Sequence, residues 1–195
     1  MFQELLKHFS GRTQLPVEVE EISRFLVSAG CQDSIILHPE ELDPGELRGT
    51  FVQYTTHSGV YSAPEFVTLI IYPANADLAE QRVICGKELI HLCDGKIART
   101  NTPGEVDALI EKLLGPLSTE DYGLADIMAS VDKLALYQGL ALLFPIAARE
   151  VALEKINDRS ATVEDIADWA QLPIPVVSLV LREEWTEVYA VIEQM

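Results

Sequence analysis

The sequence predicts an α+β fold, a small antiparallel sheet packed on a mainly helical body. Three observations predict it. Residues 34–72 hold the β-branched and aromatic runs, separated by turn residues. Almost everything after Pro73 carries helical periodicity or a helix-capping signal. Finally, 48% of the 195 residues are hydrophobic, enough for one core with a small helical appendage.

The elements follow in order. Residues 1–9 and about 16–29 read as two short helices. Pro16 suits a first helical turn, Ile22, Phe25 and Leu26 share one face, and Gly30 stands where a C-cap glycine belongs. Ser34–Leu37 is a short apolar strand. Leu47–Thr55 alternates, His57-Ser58-Gly59 makes a turn, and Val60-Tyr61 begins the return. Phe66–Tyr72 is the strongest strand, a continuous β-branched and aromatic run closed by Pro73.

Helices take over from there. Asn75 caps one from about Ala76 to Cys93, stopped by Asp94-Gly95. Thr102-Pro103-Gly104-Glu105 has the threonine, proline and glutamate of a capping box, so a helix runs to about Leu114 before Gly115-Pro116. A long helix covers Leu124 to Phe144, and Pro145 kinks or breaks it. Ala147–Ile156 continues. Thr162-Val163-Glu164-Asp165 opens a helix through Ala170, and Ile174–Glu193 is the last.

Composition narrows function. The formal net charge of −17 repels phosphate backbones and anionic lipid, so neither nucleic acid nor a membrane surface is expected as a direct partner. No apolar run approaches the length of a bilayer span; the longest, Gly139–Ala148, contains Pro145. The N-terminus has no signal-peptide pattern, and Cys31, Cys85 and Cys93 form no disulfide framework, so a cytoplasmic location is expected. Thr162–Arg182 imitates a DNA-binding helix-turn-helix, yet residues 146–195 carry ten acidic side chains against four basic ones. A helical pair packed on the main domain is the better reading, with Trp169, Trp185 and Tyr189 as core or interface anchors.

The chemistry concentrates in Cys85-Gly86-Lys87-Glu88-Leu89-Ile90-His91-Leu92. In a zinc-peptidase helix of the form His-Glu-x-x-His, two imidazoles one turn apart hold Zn²⁺, and the glutamate activates water. Here Glu88 and His91 fit that pattern, and Lys87 replaces the first histidine. The approach through Tyr72-Pro73-Ala74-Asn75 and Glu80-Gln81-Arg82 resembles the one that leads into this helix in the ImmA/IrrE-type metallopeptidases. Asp132-x-x-Ala135 followed by Leu142-Leu143-Phe144-Pro145 is similar to that family's third-ligand segment, with Asp132 in the ligand's place thirteen residues before the proline. Thr162–Arg182 resembles its following helix pair. The likeness spans about residues 35–185, and Lys87, Leu136, Gln138, Gly139 and a long insert after His91 depart from the pattern.

The resemblance implies a zincin-like fold divided as residues 1–33, N-terminal helices; 34–145, the zincin-like domain; and 146–195, a helical extension packed on it. It also implies a bacterial or mobile-element protein that relieves repression by acting on a repressor-type regulator. Glu88 is the catalytic base if the site is active. His91 and Asp132 are the remaining metal ligands, and two protein ligands hold zinc poorly. His57 in the preceding hairpin could reach a nearby cleft, though nothing in its neighbourhood says so; His38 and His8 are more remote, Cys85 and Cys93 point off the motif's face, and Ser118, Thr119 and Ser130 lack a histidine partner. The expectation is therefore no cofactor, with the Lys87 ammonium standing in for the metal against Asp132 or Glu88. Three functions compete: a non-catalytic regulatory protein that binds a protein partner through the old substrate cleft; a zinc-dependent peptidase that cleaves a repressor; and a structural component whose acidic surface faces a basic neighbour.

Overall fold

The structure, a computed structural model, describes residues 1–42, 49–57, 59, 62–93 and 124–195. The capped helix expected over 102–114, its flanking Asp94-Gly95 and Gly115-Pro116, Ser118 and Thr119 lie outside these residues, as do Leu47, Ser58, Val60, Tyr61 and the side chain of Ser130.

The fold is α+β and mostly helical. Two N-terminal helices, α1 (Phe2–Ser10) and α2 (Val19–Ser28), precede strands β1 (Ser34–Glu40), β2 (Thr50–Thr56) and β3 (Glu65–Pro73). Helix α2 starts later than expected, leaving Pro16 in the connection, where its carbonyl accepts a bond from Arg12. Gly30, with φ of 106°, ends it in a backbone region closed to most side chains.

The sheet corrects the antiparallel expectation: it is mixed, in the order β1-β3-β2. Strand β2 pairs antiparallel with β3, from Thr50↔Ile71 to Thr56↔Glu65. Strand β1 pairs parallel with β3, from Ser34↔Val67 to Glu40↔Pro73. The continuous apolar run of β3 needs a neighbour on each side, so it takes the centre and the more polar strands become edges. Ile35, Leu37, Phe51, Ile70 and Tyr72 turn inward onto the core.

Helix α3 (Leu78–Ile90) follows β3. Its N-cap is Asp77, not Asn75. The Asp77 carboxylate accepts from the Glu80 N–H at 2.7 Å, whereas the Asn75 amide donates to the Leu42 carbonyl. The helix stops at Ile90, and His91–Cys93 tighten into a 3₁₀ turn. Helix α4 (Leu124–Leu143) packs along α3 and ends at Pro145, across which α5 (Ile146–Asn157) departs at 69°. Proline supplies no N–H to continue the ladder. No single helix among the described residues is long and apolar enough to cross a membrane.

Thr162 and Asp165 form the reciprocal capping box that starts α6 (Val163–Ala170). The expected single last helix is two, α7 (Ile174–Leu181) and α8 (Trp185–Gln194). Arg149 explains the break. Its buried guanidinium donates to the carbonyls of Val180 and Arg182, both at 2.7 Å, so the chain turns extended there. Trp185 and Tyr189 are buried as expected, but Trp169 is 45% exposed, with the Lys155 ammonium over its ring. One hydrophobic cluster runs from Leu5 to Ile192 and joins both ends of the chain to the α3–α4 pair.

Candidate functional site

Two glycines bring the motif helix against its neighbour. A Cβ on Gly139 would lie 3.1 Å from the backbone of Gly86 and Lys87, and one on Gly86 would lie 2.7 Å from the Leu143 side chain. At Gly139 any side chain would press on the backbone of α3, so glycine favours this close approach of α3 and α4. The approach sets Lys87 on α3 beside Asp132 on α4. Arg82 then ties α3 to the N-terminal segment, donating to Glu18 at 2.7 Å and to the Val17 carbonyl at 2.6 Å.

The Lys87 ammonium sits between two carboxyl groups. Its Nζ donates to Asp132 Oδ1 at 2.6 Å and lies 2.9 Å from Glu88 Oε1. The second contact is an ion contact without an aligned hydrogen bond. One ammonium thus meets a carboxylate of its own helix and one of α4. His91 Nε2 lies 3.4 Å from the same Asp132 oxygen, and an ionised Asp132 only accepts, so Nε2 carries the proton. Phe51 from β2 stacks on the imidazole, centroids 5.7 Å apart and planes at 20°. Glu88 and His91 are buried, and Lys87 and Asp132 each keep one fifth of their side-chain surface.

Burial alone would lower the Lys87 pKa, but the Glu88 and Asp132 carboxylates outweigh it and hold the ammonium above its ordinary value. Burial alone would raise Asp132; the bonds from His91 and Lys87 outweigh it and bring the carboxyl down to about 2. The Cys85 thiol is pushed up to about 12, first by burial and then by Glu88 and Glu20. A charged amine and a protonated thiol are both poor nucleophiles at neutral pH.

At Asp132 the Lys87 ammonium and a metal would compete for the same carboxylate. Zinc would need the Asp132 oxygen at about 2.1 Å, and the ammonium already holds that oxygen. Among the described residues no group of three or more His, Cys, Asp and Glu side chains is placed to hold an ion. The other histidines lie elsewhere: His38 pairs with Glu40, His57 is exposed beside the Ser62 carbonyl, and His8 lies tilted against Phe25. Cys85 is in the core, and Cys93 is in the 3₁₀ turn instead of on the helix.

The structure thus gathers Lys87, Glu88, His91 and Asp132. Sequence reasoning missed Phe51, Gly86 and Gly139. Each glycine costs a helix interior about 1 kcal/mol, and that cost is itself a signal of close packing. No protein-family model, curated protein or solved structure matches the chain.

Proposed function

We propose that the protein is an ImmA/IrrE-like, zincin-like member without catalysis. In this reading the Lys87 ammonium takes the place of the metal, and the protein works by binding a protein partner, a repressor-type regulator, at the old substrate site beside Lys87 and Asp132. The observation that carries the reading is the 2.6 Å contact between Lys87 Nζ and Asp132 Oδ1. A cation between carboxylates on two helices does the electrostatic work of a structural ion. It activates no water, because an ammonium has no vacant orbital with which to polarise one. The passage from β3 into the Glu88 helix, and its packing on the Asp132 helix, support the family likeness.

The test is metal content. Protein purified without chelator is expected to carry no stoichiometric zinc by elemental analysis, whereas Lys87→His, which supplies a second imidazole beside His91 and Asp132, is expected to gain it. Stoichiometric zinc in the unmutated protein overturns the reading and restores the peptidase, with Glu88 as its base.

A further inference from the structure

The sheet has a second face that the core does not use. Strand periodicity and register place Ile36, Val52, Tyr54, Val67, Leu69 and Ile71 together on it, opposite the side that carries Phe51 to His91. Val67 is buried, 6% exposed, and the other five lie outside the hydrophobic core and the side chains packed around it. Ile36 on β1 and Val52 and Tyr54 on β2 are 42%, 45% and 45% exposed, and the half-buried Leu69 and Ile71 of β3 join them into one apolar stripe.

We propose that this face docks a helix of a protein partner, apolar along its middle and basic at its ends. Three considerations select that occupant. The first is charge. Glu65 and Glu40 stand on the same face at opposite ends of the stripe, and no lysine or arginine occurs in any of the three strands. Exposed edge strands are normally guarded by lysine; here the charged side chains on the face are the two glutamates, with His38 beside Glu40 at 3.3 Å. The second is width. Three strands about 4.8 Å apart make a face about 10 Å across, the diameter of one helix with its side chains. The third disfavours a second copy. Face-to-face pairing would add like charges to like, two chains of −17 each. The proposal does not rest on the cleft reading, because this face lies on the other side of the sheet.

The probe is a synthetic amphipathic helical peptide with a leucine face and lysines at both ends, measured by fluorescence anisotropy at physiological salt. Its twin carries glutamate for lysine. The lysine peptide is expected to bind, and Ile36→Ser with Val52→Ser is expected to weaken it at least about tenfold. Both positions are exposed, so the double variant should keep its melting curve; Tyr54→Ser alone provides a second reading of the same face. The glutamate twin is expected not to bind. Equal affinity for the double variant would reduce the binding to bulk charge attraction and overturn the proposal. So would failure of the lysine peptide to bind, or equal binding of the twin. Dimerisation in sedimentation that the double variant abolishes would also overturn it, by assigning the face to a second copy.

Discussion

At the scale of the residue, Lys87 holds one ammonium between two carboxyl groups, Asp132 and Glu88. Removing its ammonium leaves Asp132 and Glu88 close together, with little water to solvate either. Lys87→Ala is expected to lower the unfolding free energy by about 3 kcal/mol, read from a urea midpoint at unchanged slope. A loss under about 1 kcal/mol would mean a solvated lysine at the mouth of an open cleft. The pH dependence has a definite sign. The folded-state pKa of Asp132 is depressed from 3.8 to about 2. The stabilisation is therefore complete above 3.8 and is lost as pH falls through about 2. The difference corresponds to about 2 kcal/mol. Acid titration of the unfolding free energy should show that loss in the unmutated protein and not in Asp132→Asn. Identical acid limbs would mean that the carboxyl gains nothing on folding. Lys87 and His91 share a helix side by spacing alone, so that much of the site was legible in the sequence. The stacking of Phe51 on His91 was not, because it depends on which face of β2 turns inward.

At the scale of the element, the site rests on how closely two helices approach. Gly139 meets backbone atoms of Gly86 and Lys87, which cannot swing aside as a side-chain tip can. Gly139→Val is expected to cost about 1–3 kcal/mol through overpacking, more than the few tenths gained in helix propensity. A thermal melt checks the cost. The same variant should shrink the effect of Lys87→Ala, since separated helices hold the ion pair less well; a double-mutant cycle reads this coupling, and strict additivity would show that the crossing does not set the pair. Several elements were legible: β3 from its β-branched run, α6 from its capping box, the end of α4 from Pro145. Others were not. Asn75 and Asp77 are both good caps, and only the loop contact of Asn75 with Leu42 decides between them. The parallel pairing of β1 needed knowledge of which strand takes the centre. The split between α7 and α8 is set by Arg149, distant in sequence, and no local propensity encodes it.

At the scale of the molecule, charge and packing act separately. One hydrophobic cluster holds both ends of the chain, while the net charge of −17 spreads self-repulsion over the surface. Trp169 and Trp185 show why composition alone could not assign the C-terminal helices. The second is in the core and the first is exposed beside Lys155. The same helices imitate a DNA-binding pair, and the decisive quantity is their charge. Duplex affinity comes largely from counterions released as lysine and arginine neutralise phosphates. Residues 146–195 offer four basic side chains against ten acidic ones, and one of the four, Arg149, is buried on backbone carbonyls. The electrostatic contribution is then repulsive, and lowering the salt strengthens the repulsion instead of the binding. No retardation of duplex DNA is expected in a gel-shift titration at physiological salt, nor any on dilution to low salt. A sub-micromolar duplex complex that weakens steeply as salt rises would overturn this, because it would require a cationic surface that the three accessible basic side chains of these helices do not form.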